Sequence, residues 1–271
     1  MKNYNIVYLG AEGSEKSFLG LKEILDADYN VSLVVVSKNI CVKQTHLSKI
    51  DKLIASFIFL KNFIRFVIKK LILPKKRLIV KKFYIRELCI KKNIPVITYT
   101  SFKIGDIEDV IRRFNPEIII SNGWMWYISK KITKLARIVS LNCHSAYLPN
   151  YRGGNVTFAP LINRELTSGV TVHTIEEKFD SGKILSQISI KLSSNETISS
   201  LNRKRANITG AVLIKALKIV HRPNKWKENP PSPFYKRFSY ASYMRLKFIN
   251  KIRSIFGLKI NKVKPIFSDK L

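Results

Sequence analysis

The chain has 271 residues, 46% of them hydrophobic, enough to bury a core of ordinary size, and carries a formal net charge of +31. Three widely spaced cysteines, Cys41, Cys89 and Cys143, with no CxxC pair, exclude a disulfide framework and a structural zinc site, and no bound metal is expected. The opening MKNYNIVYLGAEGS lacks the apolar length and cleavage site of a secretory signal, so a cytoplasmic protein is expected and the Asn-x-Thr triplets at 155, 195 and 207 read as chance.

In chain order, β-branched runs at 4–10 and 31–37 flank a helical pattern at 15–25, which is a βαβ opening. Further strand-like runs at 95–99, 117–121 and 137–142 each follow a helix-compatible stretch. The fold class predicted is α/β, with a doubly wound, mostly parallel sheet. The run after Gly169 (VTVHTI) and the alternating ILSQISI at 184–190 predict a late hairpin or paired strands, and 197–220 predicts a long helix packing back on the sheet. Domain organisation follows: a main domain over 1–220, interrupted by a basic insertion at 43–92, and a short basic C-terminal extension at 221–271.

The charge is local. Residues 43–92 hold 15 Lys plus Arg against Asp51 and Glu87, a net +13, and 221–271 hold 13 against Glu228 and Asp269, a net +11. Such segments suit an acidic partner, whether nucleic acid, an anionic membrane surface or a phosphorylated substrate, or else decorate a solvated surface. Residues 53–73 are largely apolar, but Lys61, Arg65, Lys69 and Lys70 make a spanning helix costly, at about 2.5–3.5 kcal/mol each near the bilayer centre. The four-residue recurrence of Lys61, Arg65 and Lys69 predicts an amphipathic basic helix ending before Pro74. It is suited to an anionic membrane surface at the inner face, to a partner, or to the protein's own core. The proline-rich HRPNKWKENPPSPFYKRF reads as a surface linker, and the 50 residues after His221 are too few for a second β-rich domain.

Several chemistries lack their residues. LGAEGS is not G-x-G-x-x-G, and phosphate-loop, zincin and nucleophile-elbow motifs are absent. The informative segment is the end of the strand at 137–142, Asn142-Cys143-His144, followed by a turn-rich loop at the carboxyl edge of the predicted sheet, where open α/β sheets bind ligands. In extended backbone the side chains of Asn142 and His144 project to the same side. Asp180, in FDSGKI, sits before a tight turn that can return a carboxylate to the same cleft. An amide, an imidazole and a carboxylate together suit acyl-type transfer: oxyanion stabilisation, proton transfer and orientation of the imidazole.

The string LNCHSAYLPNYRGG, followed by INRELTSGVTVHTIEEKFDSGKIL, resembles the signature of the folate-dependent formyltransferases: Asn-x-His, a Leu-Pro and Tyr-Arg-Gly loop, Gly-Val-Thr, then Asp-x-Gly-x-Ile. The resemblance is strong over roughly 115–190. It implies the formyltransferase fold, 10-formyltetrahydrofolate as formyl donor, and catalysis by Asn142, His144 and Asp180. It also implies a folate pocket lined by Asn122, Gly123, Trp124, Met125, Trp126 and Tyr127 and by Ala146, Tyr147, Leu148 and Pro149, with Gly10, Arg152 and Gly153 near the acceptor. Ser145-Ala146 replaces the family's usual Pro-Ser. The acceptors implied are an amino-sugar nucleotide, favoured over initiator tRNA because His173 in GVTVHTI resembles the sugar and purine branches more than the tRNA branch, or the methionine of initiator tRNA. Glycinamide ribonucleotide is less favoured, since AEGSEKS stands in place of a Gly-Ser-Asn phosphate loop. A homodimer is a further expectation, and a non-catalytic member binding membrane or nucleic acid is the alternative of a different class.

Overall fold

The computed structural model describes residues 4–37, 83–99, 105–154, 156–235, 240–255 and 262. The expected amphipathic helix at 53–73 lies outside the described residues. The elements are β1 (Ile6–Ala11), α1 (Glu15–Asp26), β2 (Val31–Ser37), α2 (Ile85–Lys91), β3 (Val96–Tyr99), α3 (Gly105–Arg113), β4 (Ile118–Asn122), α4 (Lys130–Thr133), β5 (Val139–His144), β6 (Arg152–Gly153), α5 (Phe158–Ile162), β7 (Thr167–Thr174), β8 (Ile184–Lys191), α6 (Ile198–Ile219), a 3₁₀ turn (Pro223–Lys225), β9 (Phe234–Tyr235) and α7 (Tyr240–Ile255).

Seven strands form one sheet in the order β3-β2-β1-β4-β5-β7-β8, and β6 pairs with β9 in a separate two-stranded ribbon. The first five strands of the sheet are parallel. β7 turns back antiparallel to β5, and β8 antiparallel to β7. The parallel sheet and the late paired strands expected from the sequence are both present. The central strands IVYLGA, VSLVVVS and IIISN are buried almost throughout, the pattern required when helices cover both faces.

Alternation along these strands feeds two cores. Ile6, Tyr8, Ile118 and Ile120 pack with Leu21, Ile24, Ile85 and Leu213 on one face, while Val7, Leu9 and Ile119 pack with Ile107, Ile111 and Ile132 on the other. α1 starts at Ser14, whose hydroxyl accepts from the Ser17 N–H, and α6 starts with a reciprocal Thr197/Ser200 capping box. The two helices approach closely because Gly20 faces Thr209 and Leu213 while Gly210 faces Glu23; a Cβ at Gly210 would overlap that side chain.

Strand order reverses direction between β1 and β4, so the helices leaving these two neighbouring strands cover opposite faces and open a crevice at the carboxyl edge of the sheet. β5 ends beside that crevice. Leu213 is fully buried between α6 and the sheet; Leu213→Ala should lower unfolding free energy by about 2–5 kcal/mol in urea denaturation.

Candidate active site

β5 delivers two side chains to one place. Asn142 pairs across the ladder with His173 and His144 with Thr171, so both β5 side chains and His173 project to the same face at the sheet edge. The loop between β7 and β8 returns Asp180 to this point with its backbone in the left-handed region, φ 50°. That conformation is uncommon for a side-chain-bearing residue and least costly for Asp and Asn. Two residues on, Gly182 is required sterically, because a Cβ there would overlap the Thr174 carbonyl.

Asp180 is the centre of the cluster. Its Oδ1 lies 3.3 Å from His144 Nδ1, 3.4 Å from His173 Nε2 and 3.3 Å from the Asn142 amide nitrogen, which donates to it. Its Oδ2 accepts from the Gly153 N–H at 2.8 Å. His144 Nε2 lies 3.1 Å from the Tyr151 carbonyl. His173 Nδ1 lies 2.7 Å from the Thr174 carbonyl, which can only accept; Nδ1 therefore carries a hydrogen and, in the neutral ring, Nε2 offers a lone pair to the Asn142 amide at 3.2 Å. His144 and His173 meet edge to face, with centroids 6.2 Å apart.

Burial alone would raise the Asp180 pKa, but the two imidazoles and the Gly153 N–H hold it well below the usual carboxylate range. Burial pulls His144 down from its ordinary value, against the opposing pull of Asp180, so the ring is neutral at neutral pH and able to accept a proton. The arrangement is a buried carboxylate that orients an imidazole and stabilises its cation, beside an amide whose N–H groups face the same centre.

The three consecutive residues Tyr151, Arg152 and Gly153 cradle both partners. The Tyr151 carbonyl faces His144. The Arg152 guanidinium donates to the Phe179 carbonyl from Nε at 3.0 Å and Nη2 at 2.7 Å, and to the Ser232 carbonyl at 3.1 Å; the Gly153 N–H meets Asp180.

A cavity of about 180 Å³ opens against Asn142, His173 and Asp180, walled by Trp124, Trp126, Tyr127, Ile128 and Phe179, with Glu176 and Glu177 at the same loop. Met125 is exposed and is not among the lining residues. Asn122 is wholly buried and donates to Tyr8 Oη at 2.8 Å and to the Lys16 carbonyl at 3.1 Å, tying β4 to α1. Gly123 has φ 76°, and a Cβ there would press on Ser17. Ala146, Tyr147, Leu148 and Pro149 lie outside this cavity. Their loop is pinned to β7 and β8, the Ala146 carbonyl accepting from Thr171 Oγ1 and the Leu148 carbonyl from Gln187, and it contains a cis Leu148-Pro149 bond. Gly10 sits within β1 with Tyr8, Ile85 and Ser17 close around it.

A second cavity of about 330 Å³ lies at the start of α1, lined by Ser14, Glu15, Lys16, Ser145, Asn202, Arg205 and Ala206. Lys16 Nζ donates to the Cys143 carbonyl and to Ser145 Oγ at 2.9 Å, placing a cation, its pKa lowered by burial, directly behind His144. Arg205 is 1% exposed and bonds Thr157, the Val156 carbonyl and Ser168. Burial pulls its pKa down to about 9, which leaves it cationic at neutral pH. Lys16 and Arg205 carry no sequence signal of their own; only the packing of α1 and α6 brings them to one cavity. Among the described residues no cluster of His, Cys, Asp and Glu forms a metal site, and no helix is long and apolar enough to cross a membrane.

Residues 88–217 match the family described as formyl transferase. The polymyxin resistance protein ArnA of Wigglesworthia glossinidia brevipalpis, a bifunctional protein, is 33% identical over 159 residues, 57% of this chain and 24% of that protein. Methionyl-tRNA formyltransferase of Clostridioides difficile is 29% identical over 179 residues, 64% of this chain and 57% of that protein. This chain thus spans about a quarter to somewhat over half the length of these curated relatives. The formyltransferase fold recurs in an N-formyltransferase from Helicobacter canadensis, solved with folinic acid and dTDP-3-aminofucose (TM-score 0.57, 17% identity, 86% of this chain and 71% of that one). It recurs also in phosphoribosylglycinamide formyltransferase from Anaplasma phagocytophilum (TM-score 0.59, 14% identity, 88% of this chain and all of that one).

The Asp180 carboxylate raises the His144 pKa. Asp180→Asn keeps the shape and tolerates the left-handed backbone but removes the charge, so His144 should titrate at lower pH than in the wild type, read by NMR of labelled imidazoles.

Proposed function

We propose that this chain transfers a formyl group from 10-formyltetrahydrofolate to the amino group of a nucleotide-linked amino sugar. The observation that carries the formyl-transfer reading is the convergence of Asn142, His144 and Asp180 beside an aromatic-lined cavity, with Asn142 and Asp180 on its wall and His144 behind them against Asp180. A pterin is a flat heterocycle with a polar rim. Trp124, Trp126, Tyr127 and Phe179 offer apolar faces, and the Asn142 and Asp180 end offers polar groups, a combination that fits such a ligand.

The residues have separable tasks. His144, neutral and buried, accepts the proton lost by the acceptor nitrogen as that nitrogen bonds to the formyl carbon. Asp180 stabilises the resulting imidazolium. The Asn142 amide, one of whose present partners would give way to the formyl oxygen, stabilises the negative charge that collects there in the tetrahedral intermediate. His144 then returns its proton to the departing N10 of the folate as the carbon–nitrogen bond breaks, releasing a formamide and tetrahydrofolate with protons balanced.

The acceptor side is read from the second cavity. Lys16, Arg205 and the Ser14-capped end of α1 offer positive potential to a phosphate next to Ser145, with Glu15 the opposing charge. That suits an acceptor that bears phosphate. The sugar nucleotide is favoured by the likeness in fold to an N-formyltransferase solved with dTDP-3-aminofucose. The net charge of +31 and the relatives named methionyl-tRNA formyltransferase favour initiator tRNA as the second reading.

The test offers 10-formyltetrahydrofolate with 3-amino and 4-amino sugar nucleotides in one assay and charged initiator tRNA in another. Sugar formylation is the expected result; turnover of tRNA alone sinks the sugar reading. His144→Ala should lower kcat by about 10²–10⁴-fold, while folate should still quench the fluorescence of Trp124 and Trp126. No turnover with any acceptor, together with no quenching, overturns the formyl-transfer reading itself.

A further inference from the structure

The stretch after α6 is more than a surface linker, because within nine residues it touches both loops of the site. Lys227 and Ile184 exchange backbone hydrogen bonds of 2.8 Å at the start of β8. The Asn229 side-chain nitrogen donates to the Asp180 carbonyl at 2.9 Å and to the Gly182 carbonyl at 3.1 Å. Ser232 Oγ donates to the Pro149 carbonyl at 2.5 Å, and the Ser232 carbonyl accepts from Arg152 at 3.1 Å. Phe234 and Tyr235 pair with Arg152 and Gly153 as β9 with β6. The Tyr235 ring lies 4.6 Å from that of Tyr151, whose carbonyl faces His144.

We propose that Asn229 is a positioning residue for the transfer: its amide spans the left-handed turn at Asp180 and fixes the carboxylate against His144. Two carbonyl oxygens face the Asn229 amide nitrogen, and each takes one of its two N–H groups, which defines the amide's orientation. The backbone between these carbonyls is Ser181 and Gly182, directly after the φ 50° of Asp180, and there Gly182 abuts Thr174. A single side chain thus clamps both ends of the turn that aims the carboxylate. With the clamp gone, the loop is free to relax toward ordinary backbone geometry, and the carboxylate moves away from His144 Nδ1.

The charged and titratable groups facing His144 are Asp180 from this loop, His173 from β7 and Lys16 from α1. Of these, Asp180 alone favours the imidazolium. Its displacement therefore lowers the His144 pKa and moves the acid limb of kcat/KM to lower pH, whereas a change in packing elsewhere leaves that limb in place.

The kinetic part of this inference rests on the formyl-transfer reading; the titration part does not. Full-length wild type, Asn229→Ala and Asn229→Leu are compared, the last close to asparagine in size but uncharged and offering the carbonyl oxygens no donor. Both variants should titrate His144 at lower pH than the wild type, and kcat should fall on the order of tenfold with acceptor KM within about twofold. Asn229→Leu should be no better than Asn229→Ala.

Wild-type titration and kcat in either folded variant, even with a lowered Tm, overturn the proposal. If Asn229→Ala is unfolded by circular dichroism, the same titration is read on Asn229→Ser, whose single shorter donor cannot hold both carbonyls. There a shift in the same direction supports the clamp, and an unchanged titration overturns it. A wild-type protein that formylates nothing, with the titration still shifted in the variants, removes the functional reading and leaves the positioning role standing.

Discussion

One buried carboxylate organises this site. Asp180 is ionised while largely removed from water, a condition that costs several kcal/mol unless its oxygens are matched by donors and positive charge. The donors are the Gly153 N–H and the Asn142 amide, with the rings of His144 and His173 at 3.3 and 3.4 Å. Because these groups come from three stretches of chain, the carboxylate ties β5, β6 and β7 to one point. The interaction that positions the imidazole also draws together the backbone around it.

The sheet makes this convergence possible by its change of direction. Five parallel strands would leave β5 as an edge with unpaired backbone groups. β7 covers that edge antiparallel, setting His173 opposite Asn142, and the short connection to β8 brings Asp180 back over both. The ribbon of β6 and β9 then closes the arrangement from outside, holding Tyr151, Arg152 and Gly153 against it. The Arg152 guanidinium is buried and occupied by the carbonyls of Phe179 and Ser232; it joins the loop that bears Asp180 to the strap.

The end of β5 divides two environments. On one side Trp124, Trp126 and Phe179 form an apolar wall; on the other, Lys16 and Arg205 place two cations within a cavity with one carboxylate, Glu15, on its lining. A neutral, flat ligand suits the first and a phosphate-bearing one the second. Lys16 links the two by binding the Cys143 carbonyl and the Ser145 hydroxyl on either side of His144.

The sequence alone determined the parallel α/β sheet, because runs such as VSLVVVS and IIISN leave no polar face for water and require cover on both sides. It determined also that Asn142 and His144 share a face, since extended backbone alternates with a period of two, and the spaced Asn-x-His and Asp-x-Gly elements resemble a family whose chemistry uses them. What only the tertiary structure decided depends on contacts between residues far apart in the chain. His173 joins the carboxylate through the register of β5 with β7. Lys16 and Arg205 become neighbours through the packing of α1 on α6, and neither stands in a motif. Asn229, in a stretch that reads as a polar, proline-broken linker, reaches Asp180 across 49 positions. Local patterns encode periodicity and burial, whereas these pairings depend on strand register and helix packing, which no short window of sequence contains.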